Sequence, residues 1–431
     1  MKKITSLLVL ILVVFAVQAQ EDAAKVEIQK SYKSEVAKLM KNKNLIKAMD
    51  LVREQDAQTI ADLITLTQIE APPFKEDNRG LKFKEMLEAY GADSVWIDDE
   101  GNVIGLRKGT KREKVVALDA HLDTVFPEGT DVKVRNTGDT LRAPGIADDT
   151  RGLAGVLAVL RAMEDLSIET EHDVLFIGSV GEEGPGDLRG VKYLFSENGP
   201  RINSWIAVDG VNISTINTMG LGSIRYRVKF LGPGGHSWGA FGLANTHHAL
   251  GSAIHYFVEA ADEYTKDGPK TSYNVGIIGG GTSVNSIPFA SFMDIDMRSI
   301  KPERLEDMDR ILKESVQKAI DEQNAIKRRG RPMSAEFEMI GNRPSGEGDP
   351  NLPLIQRALA SAEALGGQPS LTRGSTNSNI PISKGIPAIT IGSGGKAFGA
   401  HSLAEWYYND EGWKGTQLAL LILVSESGLA K

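Results

Sequence analysis

His121-Leu122-Asp123, Asp148-Asp149, Glu182-Glu183, Asp209 and His401 are the stretches of this chain whose residue types could do chemistry together. In order they supply two imidazoles, a carboxylate able to bridge, two terminal carboxylates and one spare. Two metal ions sharing a water need such donors, and the spare carboxylate is a base to deprotonate that water. Each stretch also has a plainer account of its own. His121 and Asp123 close an apolar run, where the strand period of two puts both side chains on one face. The carboxylate can then sit behind the imidazole and fix its tautomer while the other nitrogen binds metal, or the pair is merely a turn. Asp148-Asp149 enters a helix, where acids commonly cap the first turn. Two adjacent acids cannot both cap, however, and a carboxylate ahead of a helix can bridge two cations. The neighbouring side chains of Glu182 and Glu183 diverge, so one can bind metal while the other faces the substrate water. Asp209 ends an apolar strand, and His401, one of 7 histidines, follows a glycine-rich loop.

The elements that must position these residues alternate in type. Residues 21 to about 66 read as polar, amphipathic helix, and a second helical pattern covers 80–90. Short β-rich runs follow at 95–97, 103–106 and 115–120. Next come a helix at 152–163, a strand at 174–177, a helix near 188–195 and a strand at 205–208. This alternation predicts an α/β domain with a mostly parallel sheet flanked by helices. Ligands gather at the carboxyl ends of strands in such sheets, and His121, Glu182-Glu183 and Asp209 all fall at such ends.

Near Gly220 the texture changes. Residues 224–230 alternate with period two, long helices are expected at 244–264 and 302–323, and β-runs flank Gly279-Gly280-Gly281 and recur at 335–340. The β-α-β-β-α-β order predicts an inserted ferredoxin-like α+β lid with an antiparallel sheet, over 220–340. From 341 the first texture returns, with a helix at 352–364, a strand at 388–391 and a C-terminal helix. The glycine triplet lacks the strand-to-helix setting and the lysine of a phosphate loop, so it reads as a lid turn.

The chain has 431 residues, 41% hydrophobic and 25% charged, which suits two domains. Lys2 and Lys3, an apolar run from Leu7 to Val17 and the small-x-small site Val17-Gln18-Ala19 form a signal peptide over 1–19, with cleavage expected before Gln20. A periplasmic or secreted protein is therefore expected, with no stable membrane insertion after cleavage. Removing Lys2 and Lys3 takes the formal net charge from −8 to −10, which argues against nucleic acid as a partner. The absence of cysteine excludes disulfides, a thiolate metal site and a Cys nucleophile.

Taken together, His-x-Asp, Gly-x-x-Asp-Asp-x-x-Gly, Glu-Glu, Asp-Gly and the late His resemble the two-zinc metallopeptidase family. That family includes peptidase T, carnosinase-type dipeptidases, glutamate carboxypeptidase, aminoacylase and succinyl-diaminopimelate desuccinylase. The resemblance runs over roughly 55–425. It implies one metal on His121, Asp148 and Asp209, the other on Asp148, Glu183 and His401, and a cis peptide after Asp148. It makes Glu182 the general base and gives Asp123 the orienting of His121. His236, in Gly232-Pro233-Gly234-Gly235-His236-Ser237, would stabilise the oxyanion, often from the lid of a second subunit, so a homodimer through the lid is implied. Asn285 and Arg298 match lid positions that grip the substrate's polar ends. Nitrogen and oxygen donors without sulfur fit zinc, with cobalt or manganese able to replace it. His172, His247, His248 and His255 match nothing in the family pattern and are expected on the surface or in the lid core.

Relatives usually have Thr-Asp where this chain has Thr376-Asn377, a departure that touches either the residues behind the ligands or the substrate pocket. Family members with Asp at the position of Asp209 tend to be aminopeptidases or dipeptidases, so a short peptide is the expected substrate. The alternatives are an N-acyl amino acid amidohydrolase or carboxypeptidase of the same family and, from another class, a metal- or peptide-binding protein without catalysis. Glu182 argues against the last, since a binder needs no base beside its ligands.

Overall fold

The computed structural model describes residues 26–430, so the expected signal peptide lies outside the described residues. The chain forms two compact units, one running up to Met219 and resuming at Glu347, the other spanning Gly220–Gly346. The second unit ends later than the sequence suggested, because the strand Ser334–Arg343 runs on past 340.

In the first unit the strands Asp173–Ser179, Val115–His121, Ser204–Val208 and Ala388–Ile391 are neighbours and pair in parallel. Nearly every residue in them is buried. Helices cover both faces, which is why these strands read as continuous apolar runs and not as alternating ones. On one face Leu153, Val156, Leu157 and Leu160 of the helix Thr150–Asp165 pack with Leu420 and Leu423 of the helix Trp413–Ser427. On the other, Trp205 packs with Leu188, Val191 and Leu194. The outer strands Val103–Arg107, Ser94–Ile97 and Thr215–Gly220 join antiparallel, making the sheet mixed at its margins.

The helical run expected at 21–66 is three helices among the described residues: Lys30–Leu39, Lys43–Glu54 and Asp56–Thr67. The break before Lys43 is set by Asn42, whose side chain accepts the N–H groups of Asn44 and Leu45, an N-cap that starts a new helix.

A small antiparallel sheet, in the order Lys396–Phe398, Trp406–Tyr408, Thr140–Arg142, Arg135–Thr137, was not anticipated. Its strands are three residues long, too short to show a period. Pairing Trp406 with Arg142 and Tyr407 with Leu141 brings the His401 loop beside the chain that leads into Asp148.

In the second unit the strands run Thr271–Gly280, Ala290–Ser299, Gly222–Leu231, Ser334–Arg343 across one antiparallel sheet. With the helices Thr246–Thr265 and Pro302–Ile326 this is the ferredoxin-like strand order expected of the lid. Phe257, Val228, Phe230, Met293 and Leu312 form its own core. Among the described residues no helix is long and apolar enough to cross a membrane.

Candidate metal centre

His121 is the last residue of a strand buried from Val116 on, and its ring orientation is fixed on the side away from the cluster. Nδ1 lies 3.0 Å from the backbone carbonyl of Asp123, which can only accept, so Nδ1 carries the hydrogen and Nε2 is presented to Asp148 Oδ1 at 3.1 Å. The carboxylate of Asp123 stands farther from the ring, at 3.6 Å. Asp123 thus meets the His121 ring through its carbonyl at hydrogen-bond distance, with its carboxylate just beyond. The Asp123 carboxylate is turned instead to the Glu182 and Glu183 N–H groups, accepting both at 2.9 and 2.8 Å. Arg79, wholly buried, donates to the carbonyls of Leu122 and Ile69 and so ties the Asp123 turn to the preceding helix.

Asp148 is shared. Its Oδ1 faces His121 and its Oδ2 faces His401 Nε2 at 3.1 Å, while Glu183 Oε1 is 2.8 Å from the same His401 nitrogen. His121, Asp148 and Glu183 each offer a ligand atom within 4.8 Å of one another. The peptide bond between Asp148 and Asp149 is cis, as the resemblance implied. Asp149 stands at the N-cap position of the helix Thr150–Asp165 but its side chain caps nothing. Its Oδ2 takes the backbone N–H of His121 at 3.1 Å. Gly152 explains the glycine that closes the motif: a Cβ there would lie 2.3 Å from Asp149 Oδ1 and 2.4 Å from the Val208 carbonyl. Asp209 follows the strand Ser204–Val208, and its Oδ2 accepts from Thr376 Oγ1 at 2.7 Å.

Without a cation the electrostatics of this cluster are unfavourable, and the protonation of its members shows it. Burial, reinforced by the charge of Asp148, pushes Glu183 up to about 7 and raises Asp209 as well. Burial holds Asp149 well above the carboxylate range. Asp148 itself stays below that range against its own burial, because both imidazoles donate to it. His401 is raised to about 9, first by its hydrogen bond to Asp148. Two imidazoles around a shared carboxylate, with more acids than positive partners, fit divalent cations, and the lack of sulfur suits zinc, cobalt or manganese. The carbonyl behind His121 is the outer partner a metal-binding imidazole ordinarily has.

The remaining site residues fall in the second unit. His236 pairs in register with Ser286, and the Ser237 N–H bonds the Asn285 carbonyl at 2.9 Å, so His236 and Asn285 lie together. Arg298 is paired with Asp296 at 2.7 Å and stands opposite Ser223, toward the other end of its strand. Within one lid the structure does not bring Arg298 to the other two. Of the four histidines expected on the surface or in the lid core, His247 is exposed, its Nδ1 2.9 Å from the buried Ser291 hydroxyl.

Two residues were given no role from the sequence. Glu405 accepts hydrogen bonds from the turn carrying Asp148. Asp119 lies fully buried two residues before His121, where burial pushes it up to about 7. The signal for Asp119 was a lone acid inside an otherwise apolar strand. It also explains Asn377, whose Nδ2 donates to Asp119 Oδ2 at 2.7 Å and to Ser179 Oγ at 2.8 Å. Asn377 is therefore a buried support behind the His121 strand.

An α/β domain with a carboxylate–imidazole cluster at its strand ends and a ferredoxin-like insertion defines a metal-dependent hydrolase. The chain belongs to peptidase family M20/M25/M40, whose profile matches residues 117–424. The uncharacterised protein YqjE of Bacillus subtilis is 26% identical over 363 residues, covering 79% of this chain and 91% of that one. Carboxypeptidase G2 of Pseudomonas sp. is 27% identical over 318 residues, 70% of this chain and 71% of that one. The crystal structure of aminopeptidase PepT from Bacillus cereus shares the fold at 21% identity, with a TM-score of 0.67 over 85% of this chain and 97% of that one.

Two outcomes are expected. Asn377→Asp sets a second carboxylate against Asp119 and costs about 1–3 kcal/mol of stability, most of which Asp119→Asn restores. Urea unfolding of the single and double variants checks this, and a double variant no more stable than Asn377→Asp rejects the pairing. Cation binding requires neutral imidazole and ionised carboxylate. With His401 protonated up to about 9 and Glu183 up to about 7, binding at pH 8 releases protons and affinity falls as pH is lowered through 7. Calorimetry in buffers of different ionisation enthalpy measures the release, and pH-independent binding would contradict it.

Proposed function

We propose that this protein is an exported aminopeptidase acting on di- and tripeptides, using two divalent cations of which zinc fits best. The observation that carries the reading is Asp148, whose two oxygens face two different imidazoles. His121, Asp148 and Asp209 would hold one cation, and Asp148, Glu183 and His401 the other. Bound there, the cations would supply Lewis acidity, polarising the scissile carbonyl and acidifying the attacking water.

Glu182 is the general base of this proposal. Its backbone is pinned by Asp123 Oδ1 and its side chain is buried, so it stays beside Glu183 without being needed as a ligand. It takes the water's proton and delivers it to the leaving amine nitrogen, which lets the C–N bond break without expelling an amide anion. His236 donates to the oxyanion of the tetrahedral intermediate, and Asn285 and Arg298 grip the substrate's polar ends.

Two lids serve one substrate in this reading. Ser286, the register partner of His236, precedes Ala290 by four residues, and Ala290 and Arg298 are separated by roughly 26 Å of extended strand. A dipeptide spans about 7 Å, so a single rigid lid cannot grip it with all three residues. A homodimer in which one copy supplies Arg298 and its partner supplies His236 and Asn285 removes the difficulty.

Asp209 and the fold shared with PepT favour removal of an N-terminal residue. The 27% identity to Carboxypeptidase G2 favours a second reading, cleavage at a C-terminal or N-acyl amide. Mature protein isolated outside the cytoplasm, with Gln20 as its N-terminus, would be assayed on free, N-acetylated and C-terminally amidated di- and tripeptides. Release that needs the free amine and falls at least about 10³-fold in Glu182→Gln supports the proposal. Turnover of blocked amines alone supports the second reading, and none with any substrate rejects both. For the dimer, mixing inactive Glu182→Gln with inactive His236→Ala should restore up to about a quarter of activity in randomly formed hybrids. No recovery in hybrids shown to have formed rules out the shared site.

A further inference from the structure

Glu405 stands on the loop of His401 but reaches into the turn that carries Asp148. The residue is 1% exposed. Oε2 accepts the N–H of Gly145 at 2.8 Å, and Oε1 accepts those of Ala147 at 2.8 Å and Asp148 at 3.1 Å. Three backbone donors thus converge on one side chain from 257–260 residues away. A backbone turn whose N–H groups point the same way is an anion cradle, and here the anion is supplied from within the chain.

Such a placement is expensive on its own terms. A buried carboxyl group beside Asp148 adds an acid where acids are already crowded, and an apolar residue would spare that cost. What Glu405 provides that an apolar residue cannot is direction. Asp148 must aim two oxygens at two imidazoles, and its main chain is held through its own N–H and that of Ala147. The far end is held too: Arg151, buried in the helix after Asp148, bonds the Tyr407 hydroxyl at 2.9 Å and the Gly412 carbonyl at 2.8 Å. His401, on the same loop, has a left-handed backbone at φ 64°, so its aim depends on that loop being fixed.

We infer that Glu405 is a positioning residue for the cation pair, locking the Asp148 turn and the His401 loop into one register. This rests on the two-cation reading of the centre. Because Asp148 belongs to both ligand sets, losing the lock weakens both cations together, whereas losing His401 weakens one.

The test uses mature, metal-stripped protein titrated with Co²⁺ alone, followed by calorimetry and by visible absorption of the bound ion. Wild type is expected to bind two ions. Glu405→Gln, which keeps the shape but replaces one acceptor oxygen by a donor, should bind both at least about tenfold more weakly, with an altered absorption band. Glu405→Asp, which keeps both acceptors on a shorter arm, should weaken both in parallel but less, and it serves if the Gln variant does not fold. His401→Ala should retain one ion near its wild-type affinity. A folded Glu405→Gln or Glu405→Asp variant with wild-type affinity and spectrum and only a lower Tm overturns the proposal, making Glu405 a fold contact. Wild type that binds no Co²⁺ overturns the two-cation reading itself, and the proposal with it.

Discussion

Asp148 turns one oxygen to the Nε2 of His121 and the other to the Nε2 of His401, and Glu183, Asp149 and Asp209 crowd around the same buried position. Like charges at such spacing, away from water, cannot all be ionised unless something positive shares the space. Much of the first unit is arranged to make that crowding tolerable. Asp123 accepts two backbone N–H groups, Glu405 three, and Asp149 one, so these three carboxyl groups find their partners in the main chain. Backbone donors have an advantage over lysine or arginine here, because they satisfy carboxyl oxygens without placing a fixed positive charge beside a cation site.

The sheet follows from the same requirement. A parallel sheet sends several strand ends to one edge, and helices on both faces keep that edge rigid. His121, the Glu182-Glu183 turn and Asp209 leave three adjacent strands there, and the tight fit at Gly152 lets the following helix approach closely. His401 cannot come from a neighbouring strand end in this way. The small antiparallel sheet carries it in, fixed by the pairing of Trp406 with Arg142.

Much of this was legible in the sequence, and the exceptions have physical causes. The parallel strands announced themselves as apolar runs because both their faces are buried, and the lid strand Gly222–Leu231 as alternation because one face is not. Helix breaks at Asn42 and Gln55 were hidden by the amphipathic pattern continuing across them. Three-residue strands have no period to detect. Asp123 was read correctly as a partner of His121, but a residue type cannot reveal whether its carbonyl or its carboxylate does the work. Asn377 could be seen as a departure but not understood, since its partner Asp119 lies 258 residues away and looked like part of an apolar strand.

That pair shows what a support behind the centre requires. Where relatives usually have an acid after the threonine, this chain has a neutral amide, and a carboxylate sits opposite it on the His121 strand. Asn377 Nδ2 donates to Asp119 Oδ2 at 2.7 Å, which closes the buried layer behind the ligands. The requirement of that layer is for one donor meeting one acceptor. The ligands meet a narrower requirement. Asp148 must be a carboxylate to face two imidazoles, and neither histidine could be exchanged with it without inverting the charge of the site. Residues behind the centre are constrained as pairs and the ligands as individuals, so the ligand set is recognisable in a single sequence while its supports become intelligible only once the chain is folded.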